Sequence, residues 1–460
     1  MRLYDTKSQA VMEVIPTQQG SVDIYCCGPT VYRFAHVGNL RTFLLGDLIR
    51  RTLKAEGKKF RYVQNITDVG HLNDDVNVEN EADKILAQAR IEKKNPFEIA
   101  RFYEKIFHDD VKALNIAPAD AYPRASESID LIVDLIAQLI YLGSAYQGSD
   151  GSIYFAARSV KDYGAISNNS LDQLRAGYRF DATEVLEQGK RFHADWALWK
   201  AASVNREITW QTPWGTGFPG WHVECSAMSI HYFPQGISLH LGGIDLRFPH
   251  HENERAQSNI ATNGEFVRQW VHGEHLLFEG KKMAKSSGNV LHIAELVERK
   301  IDPLALRLLF LENHYRTQMN LTWDNINAAH ATLKRWRQKI SHWATGGHPD
   351  EHRLREIRER FSDDLDTPAA MLLLRKLERD ESIPEAERRA TFVASDALLG
   401  LDLDREDVKE LSSEQLALID ERARVRVEKN WTRSDQLRDQ LLQMGVQVND
   451  GPDGQTWEIN

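Results

Sequence analysis

The chain has 460 residues, 42% of them hydrophobic and 27% charged, and a formal net charge of −10. That length exceeds one ordinary core and implies several domains of a globular protein. The acidic balance argues against general DNA binding, so a nucleic-acid partner would have to meet a local basic face. No apolar run approaches the ~20 residues that span a bilayer, and the opening MRLYDTKSQAVMEV lacks the apolar core of an export signal. Three cysteines, Cys26, Cys27 and Cys225, make no disulfide framework, which points to a reducing cytoplasm. Adjacent Cys26 and Cys27 are poorly placed to bridge each other.

Residues 22–27 (VDIYCC) are expected to form a buried strand, followed by the loop GPTVYRFAHVGN and a helix over 40–55. A second strand is expected at 60–66. Strand, loop, helix and strand make a β-α-β unit with parallel strands, and the loop falls at the strand ends where ligands bind. Helices follow to residue 141, one of them starting at Asn95-Pro96-Phe97-Glu98 with the signature of a capped first turn. Residues 145–155 read as a hairpin, and 212–220 (TPWGTGFPG) as a loop by their glycines and prolines. Strands at 237–241 and 266–272 alternate with helices from 223 and from 249. Beyond residue 302 the pattern is helical over 303–313, 324–343, 351–361, 366–380, 386–400 and 413–443, and 446–459 reads as a small hairpin. The expected domains are 1–94 and 206–300 as two halves of a nucleotide-binding fold, 95–205 as an insertion, 301–400 as a helical stem, and 401–460 as a C-terminal domain.

The stretch from Trp221 to Glu254 concentrates the chemistry. His250 and Glu254 are four apart on a predicted helix, so they share a face, and Cys225 offers a thiolate from outside it. Alone, this is half a metal site or a polar helix face beside a buried cysteine. No GxxxxGK[ST] motif is present, so a P-loop is excluded. Two other stretches suit polyphosphate. His36-Val37-Gly38-Asn39 opens a helix, where free N–H groups and the helix dipole favour anions. Lys282-Met283-Ala284-Lys285-Ser286 makes a cationic loop able to clamp phosphates.

The combination of CCGPTVYRFAHVGNLRTF, YVQNITDVGH, DWALWK, PGWHVECSAMS, HLGGIDLRFPHHENERAQS, KKMAKSSGNV and LDTPAA resembles the class I aminoacyl-tRNA synthetases, and within them the cysteinyl-tRNA synthetase family. The resemblance runs from residue 1 to the C-terminal WTRSDQLRDQL and DGPDGQTW. It implies a Rossmann-like parallel-sheet catalytic domain with an α/β insertion, a helical C-terminal half and a small anticodon-binding domain. It also implies ATP-dependent activation of L-cysteine and transfer to tRNA carrying the cysteine anticodon, with Mg2+ accompanying ATP. By the same resemblance one zinc ion falls on Cys27, Cys225, His250 and Glu254, where sulfur suits the metal and the substrate's own thiol would be bound as thiolate. Gly28, Thr67, Trp221, His240 and Asp245 would line the cysteine pocket, Asp245 meeting the ammonium. His36, Gly38 and Asn39 would cradle ATP, and Lys282 and Lys285 would serve catalysis, Lys285 at the pyrophosphate leaving group.

Asn39 stands where the family motif has a second histidine, and Ala284 where it has a serine. In the C-terminal part, Arg422, Arg426, Lys429 and Arg433 are expected to line one helix face beside Trp431 as an RNA-contacting stripe, or to form a solvated face with Glu421 and Glu428. A monomer in the cytoplasm is expected, without membrane or DNA partners. Two alternatives remain: a cysteine ligase with a small amine acceptor, and a noncatalytic relative that binds RNA or zinc.

Overall fold

Five consecutive buried residues, Val22–Cys26, form β1, as a strand covered on both faces requires. Helix α1 (Val37–Ala55) and strand β2 (Phe60–Gln64) complete the first β-α-β unit. The second half supplies α2 (Trp221–Tyr232), β3 (Ile237–Gly243), α3 (His250–Thr262) and β4 (Val267–Gly273). The four strands are parallel, in the order β4-β3-β1-β2. From β1 the chain moves one way to β2, and from β3 the other way to β4. The crevice between the carboxyl ends of β1 and β3 is therefore the topological switch point, the ligand position of such sheets.

The computed structural model describes residues 1–17, 20–69, 84–171, 189–203, 206–283, 289–405, 411–451 and 454–459, and it falls into two compact units, Met1–Leu403 and Asp404–Asn460. Among the described residues no helix is long and apolar enough to cross a membrane.

Two expected boundaries shift. The helix Pro96–Ala113 has the expected cap, with Asn95 and Glu98 both bonded to backbone N–H groups. Its Ile99, Tyr103 and Phe107 share one hydrophobic cluster with α1, so it packs with the sheet rather than with the insertion. The insertion is built on the helix Ile129–Tyr141 and a five-stranded antiparallel sheet, and its hydrophobic cluster continues into α2 and α3 through Val223, Ala227 and Ala256. That sheet includes Gly215–Pro219, in the stretch expected to be a loop. The glycines there serve close strand approach rather than a turn: a Cβ on Gly217 would fall 2.2 Å from the Lys200 carbonyl oxygen.

The helices Leu304–Leu311, Trp323–His342, Glu351–Ser362, Thr367–Arg379 and Glu385–Leu399 share a hydrophobic cluster with α1. Arg307 fastens them to the sheet side. It is fully buried, pairs with Asp47 of α1 at 2.7 Å, and donates to the carbonyls of Leu114, Asn115 and Leu399.

In the second unit the expected single helix over 413–443 is two, Ser413–Val427 and Trp431–Gln443. Lys429 adopts φ 59° at the break, and Asn430 caps the second helix through its bond from Arg433 N. A hairpin of Val446–Gly451 and Gly454–Ile459 follows.

Candidate metal centre and nucleotide site

Alternation along the end of β1 separates the two adjacent cysteines. Cys26 is wholly buried against Gln64, and burial pushes its thiol up to about 12. Cys27 follows the strand, its N–H donating to Leu241 O of β3, and reaches the switch-point crevice. There its Sγ lies 3.9 Å from Cys225 Sγ of α2 and 3.4 Å from Glu254 Oε1 of α3. Glu254 Oε1 is 3.0 Å from His250 Nε2, one helical turn earlier. The four donor atoms of Cys27, Cys225, His250 and Glu254 all lie within 4.8 Å of one another, and all four residues are buried.

This donor set fits a zinc ion. The three cysteines are unbridged, and Glu254 Oε2 is buried without a hydrogen-bond partner. Burial drives the Glu254 carboxyl well above its usual range, a cost that a divalent cation would remove. Two sulfurs, one imidazole and one carboxylate are borderline-soft donors of the kind zinc takes. Trp221 stacks on His250 with ring centroids 4.1 Å apart, and His222 Nδ1 lies 2.8 Å from His250 Nδ1. Both contacts fix the orientation of the imidazole.

Sequence reasoning missed part of the cluster. His251 Nε2 lies 3.4 Å from Cys27 Sγ, and its Nδ1 is 2.8 Å from His272 Nε2. His272 in turn is 2.7 Å from Thr6 Oγ1. The doublet His250-His251 was the available signal, since both residues of a pair can reach a site lying beside a helix start.

His240 Nε2 is 3.5 Å from Cys27 Sγ, at the wall of the crevice. Thr67 is buried, bonded through its backbone to Pro29 and Val31 and through its hydroxyl to Asn65. Gly28 is held by Asn65 Oδ1 at 2.9 Å, and a Cβ there would fall 1.6 Å from the Asn65 carbonyl oxygen. Asp245 is exposed, after the end of β3, within electrostatic reach of His36.

His36 is the N-cap of α1. Its Nδ1 accepts from Asn39 N at 3.3 Å, while Asn39 Oδ1 accepts from His36 N at 3.3 Å. Asn39 in the second-histidine position therefore closes a reciprocal capping box and keeps its Nδ2 group as a donor. Burial, helped by Arg33 and His292, lowers the His36 ring to about 4. The ring is thus neutral, and with Nδ1 accepting, its proton sits on Nε2 as a donor.

Met283 brings the second phosphate motif to the first: its Cε would lie 3.2 Å from a Cβ on Gly38. Lys282 is exposed on the short strand Lys281–Lys282, which pairs with Leu276–Phe278. Lys285 lies outside the described residues.

The expected basic stripe does not form. Arg422 is fully buried and grips Asp450 with both terminal nitrogens at 2.9 Å, with Gln455 Oε1 at 2.8 Å. Arg433 is on the next helix and pairs with Glu421. The break at Lys429 separates the positions that one continuous helix would have aligned. Arg426 pairs with Asp450 and lies 5.4 Å from the ring of Trp431, which is 56% exposed.

Comparison with known proteins joins these features. A family described as tRNA synthetases class I (C) catalytic domain matches residues 13–331, and one described as cysteinyl-tRNA ligase anticodon binding domain matches residues 408–457. Cysteine–tRNA ligases of Thermus thermophilus and Burkholderia lata are 38% and 39% identical to the chain, each alignment covering 99% of it and 99% and 96% of those proteins. The fold resembles that of Mycobacterium tuberculosis methionyl-tRNA synthetase, with TM-score 0.55 and 15% identity over 83% of this chain and 90% of that one. It also resembles a leucyl-tRNA synthetase of Agrobacterium radiobacter, with TM-score 0.57 and 11% identity over 84% of each chain. A parallel sheet with its polar cluster at the switch point, sequence identity along nearly the whole chain and a matching C-terminal unit agree: the chain belongs to the cysteinyl-tRNA synthetase family of class I aminoacyl-tRNA ligases.

Proposed function

We propose that this aminoacyl-tRNA ligase activates L-cysteine with ATP, forming cysteinyl-adenylate and pyrophosphate, and transfers the cysteinyl group to tRNA(Cys). The carrying observation is the buried cluster of Cys27, Cys225, His250 and Glu254 in the crevice where α1 begins. These four residues would hold zinc, which when bound supplies a borderline-soft Lewis acid for the substrate sulfur. Serine offers only a hard hydroxyl, and alanine or valine no ligand at all, so selection resides in this one bond.

The nucleotide half of the site rests on α1. The Gly38 N–H in its first turn, the Nε2–H of His36 and the side-chain amide of Asn39 are donors suited to phosphate oxygens. ATP arrives with Mg2+, and Lys282 and Lys285 would stabilise charge on the departing pyrophosphate. Attack by the cysteine carboxylate on the α-phosphate needs positioning and charge stabilisation, with no general base. Gly28, Thr67, Trp221 and His240 surround the cluster as the pocket for the amino acid. Asp245, within electrostatic reach of His36, would meet the substrate ammonium. In the second unit, Trp431 with Arg426 and Lys429 is the reading for contact with the anticodon.

Cysteine-dependent ATP–pyrophosphate exchange, followed by charging of tRNA with labelled cysteine, tests the reading. Absence of exchange removes it. Exchange without charging would instead support a small amine acceptor, a reading that the C-terminal unit's match to an anticodon-binding family disfavours.

A further inference from the structure

Lys282 stands on a hairpin of two short strands, Leu276–Phe278 and Lys281–Lys282, in which Phe278 pairs with Lys281. The turn between them is Glu279-Gly280, with φ 50° and 74°. Left-handed angles at both turn positions match the twist of the flanking strands and hold their register. The turn is also anchored from the helical stem. Gly280 N donates to Asn320 Oδ1 at 2.8 Å, Glu279 N donates to Leu321 O at 2.8 Å, and Glu279 Oε1 accepts from Trp323 N at 2.9 Å. The hairpin under Lys282 is therefore fixed at its tip.

Asn289 spans the same hairpin. Its Nδ2 donates to Phe278 O at 2.8 Å and to Lys281 O at 3.2 Å, the carbonyls of the two residues that face each other across the strands. The Lys281 carbonyl and the Lys282 N–H belong to one planar peptide group, so the second bond sets the plane from which the Lys282 side chain departs. On either side of Asn289's bonds the chain runs to the start of α1. Met283 Cε would lie 3.2 Å from a Cβ on Gly38, and Leu291 O accepts from Val37 N at 3.0 Å. Asn289 thus ties together two segments that both touch the helix start carrying His36 and Asn39. Its bonds are neutral and reach the surface, so they add little to stability and act chiefly on direction.

We propose that Asn289 is a positioning residue for adenylate formation, acting through Lys282. Its side-chain amide aims the Lys282 ammonium at the start of α1, where charge builds on the departing pyrophosphate. This rests on the proposed function and extends it to a side chain that touches no substrate.

The test is the kinetics of cysteine-dependent ATP–pyrophosphate exchange on the full chain, with Asn289→Ala, Asn289→Asp, Lys282→Ala and the double variant Lys282→Ala/Asn289→Ala. Slight misplacement of a charge-stabilising group is costly, so Asn289→Ala should lower kcat about tenfold. KM for cysteine and the melting temperature should stay unchanged. Asn289→Asp keeps the shape and loses the donor, and it should be at least as slow. Once Lys282 is gone Asn289 has nothing left to aim, so the double variant should be no slower than Lys282→Ala. Wild-type kcat in Asn289→Ala or in Asn289→Asp would overturn the proposal. Losses that multiply in the double variant would show a role independent of Lys282 and overturn it too, as would a lowered melting temperature that accounts for the lost rate. A wild-type chain without exchange would instead remove the proposed function, and this role with it.

Discussion

Glu254 Oε1 lies 3.4 Å from Cys27 Sγ, although 227 positions of chain separate the two residues. The contact closes the crevice between β1 and α3, and with it the two halves of the parallel sheet around the insertion. Glu254→Gln tests what the contact is for. A neutral amide keeps the shape and leaves no unpaired buried charge, so folding should be retained. Zinc content should fall from about one per chain to well under half, because a carboxamide is a poor zinc ligand. Metal analysis beside a thermal melt decides it. Wild-type zinc in this variant would remove Glu254 from the ligand set.

At the other end of the crevice the observable is pH. His36 in the folded chain titrates at about 4, below the ordinary histidine value, because of burial and the nearby Arg33 and His292. The unfolded chain therefore takes up the proton first. Stability from the neutral ring is complete above about pH 6.5 and is lost as pH falls toward 4. Protonation also removes the Nδ1 acceptor that caps α1. KM for ATP should thus stay level from about pH 8 to about pH 6, and His36→Gln should leave that stretch of the profile level too. A wild-type inflection near 6.5 that His36→Gln abolishes would show that the ring titrates as an exposed one.

In the proposed reading Asn39 links the same cap to the nucleotide. Removing it in Asn39→Ala opens half of the capping box, a loss of about 0.5 kcal/mol in stability. It would also remove the proposed donor to phosphate, and one charge-assisted hydrogen bond of ~1.5 kcal/mol corresponds to about a tenfold rise in KM for ATP. Pyrophosphate exchange and a melt separate the two effects. An unchanged KM would confine Asn39 to capping.

Much of this arrangement is local and so was readable along the chain. The run VDIYC is apolar enough to be a buried strand, Asn95 and Glu98 have the spacing of a capping box, and His250 and Glu254 stand one helical turn apart. What was not readable depends on pairing between distant segments. Cys27 meets α3 only because β1 lies beside β3, a neighbour relation that no spacing encodes and that only the family resemblance supplied. Gly217 looks like a turn residue until Trp199 and Lys200 are placed across from it. Arg422 looks like a surface cation until the hairpin brings Asp450 to it. His251 was hidden for the same reason, whereas His240 was expected beside the pocket from the family resemblance.

Asp47 and Arg307 carry a prediction about stability. Burial pushes the Asp47 carboxyl up, but Arg307, Arg51, the Ala117 amide and Arg50 outweigh it and hold the group below its usual range. Asp47→Asn would leave the fully buried Arg307 guanidinium without its counter-charge, costing about 3–5 kcal/mol. Urea unfolding followed by a probe in the first unit should show this. A loss below about 1 kcal/mol would mean that the carbonyls around Arg307 suffice to hold it.

In the second unit Arg422 and Trp431 should separate stability from RNA contact. Arg422 is buried and its partner Asp450 is 35% exposed, so discounting for solvent leaves about 2 kcal/mol for the paired hydrogen bonds. Arg422→Ala should therefore loosen the hairpin and lower the melting temperature of this unit. Trp431 is 56% exposed and has Arg426 over its ring, which is how a side chain is placed to stack on an unpaired base. A stacked base contributes ~1–3 kcal/mol, so Trp431→Ala should raise KM for tRNA about tenfold or more without changing the melt. The two variants thus move different observables. A Trp431→Ala enzyme that charges tRNA with unchanged KM would exclude this face from the anticodon, and an Arg422→Ala enzyme with an unchanged melt but weakened charging would return Arg422 to the RNA surface.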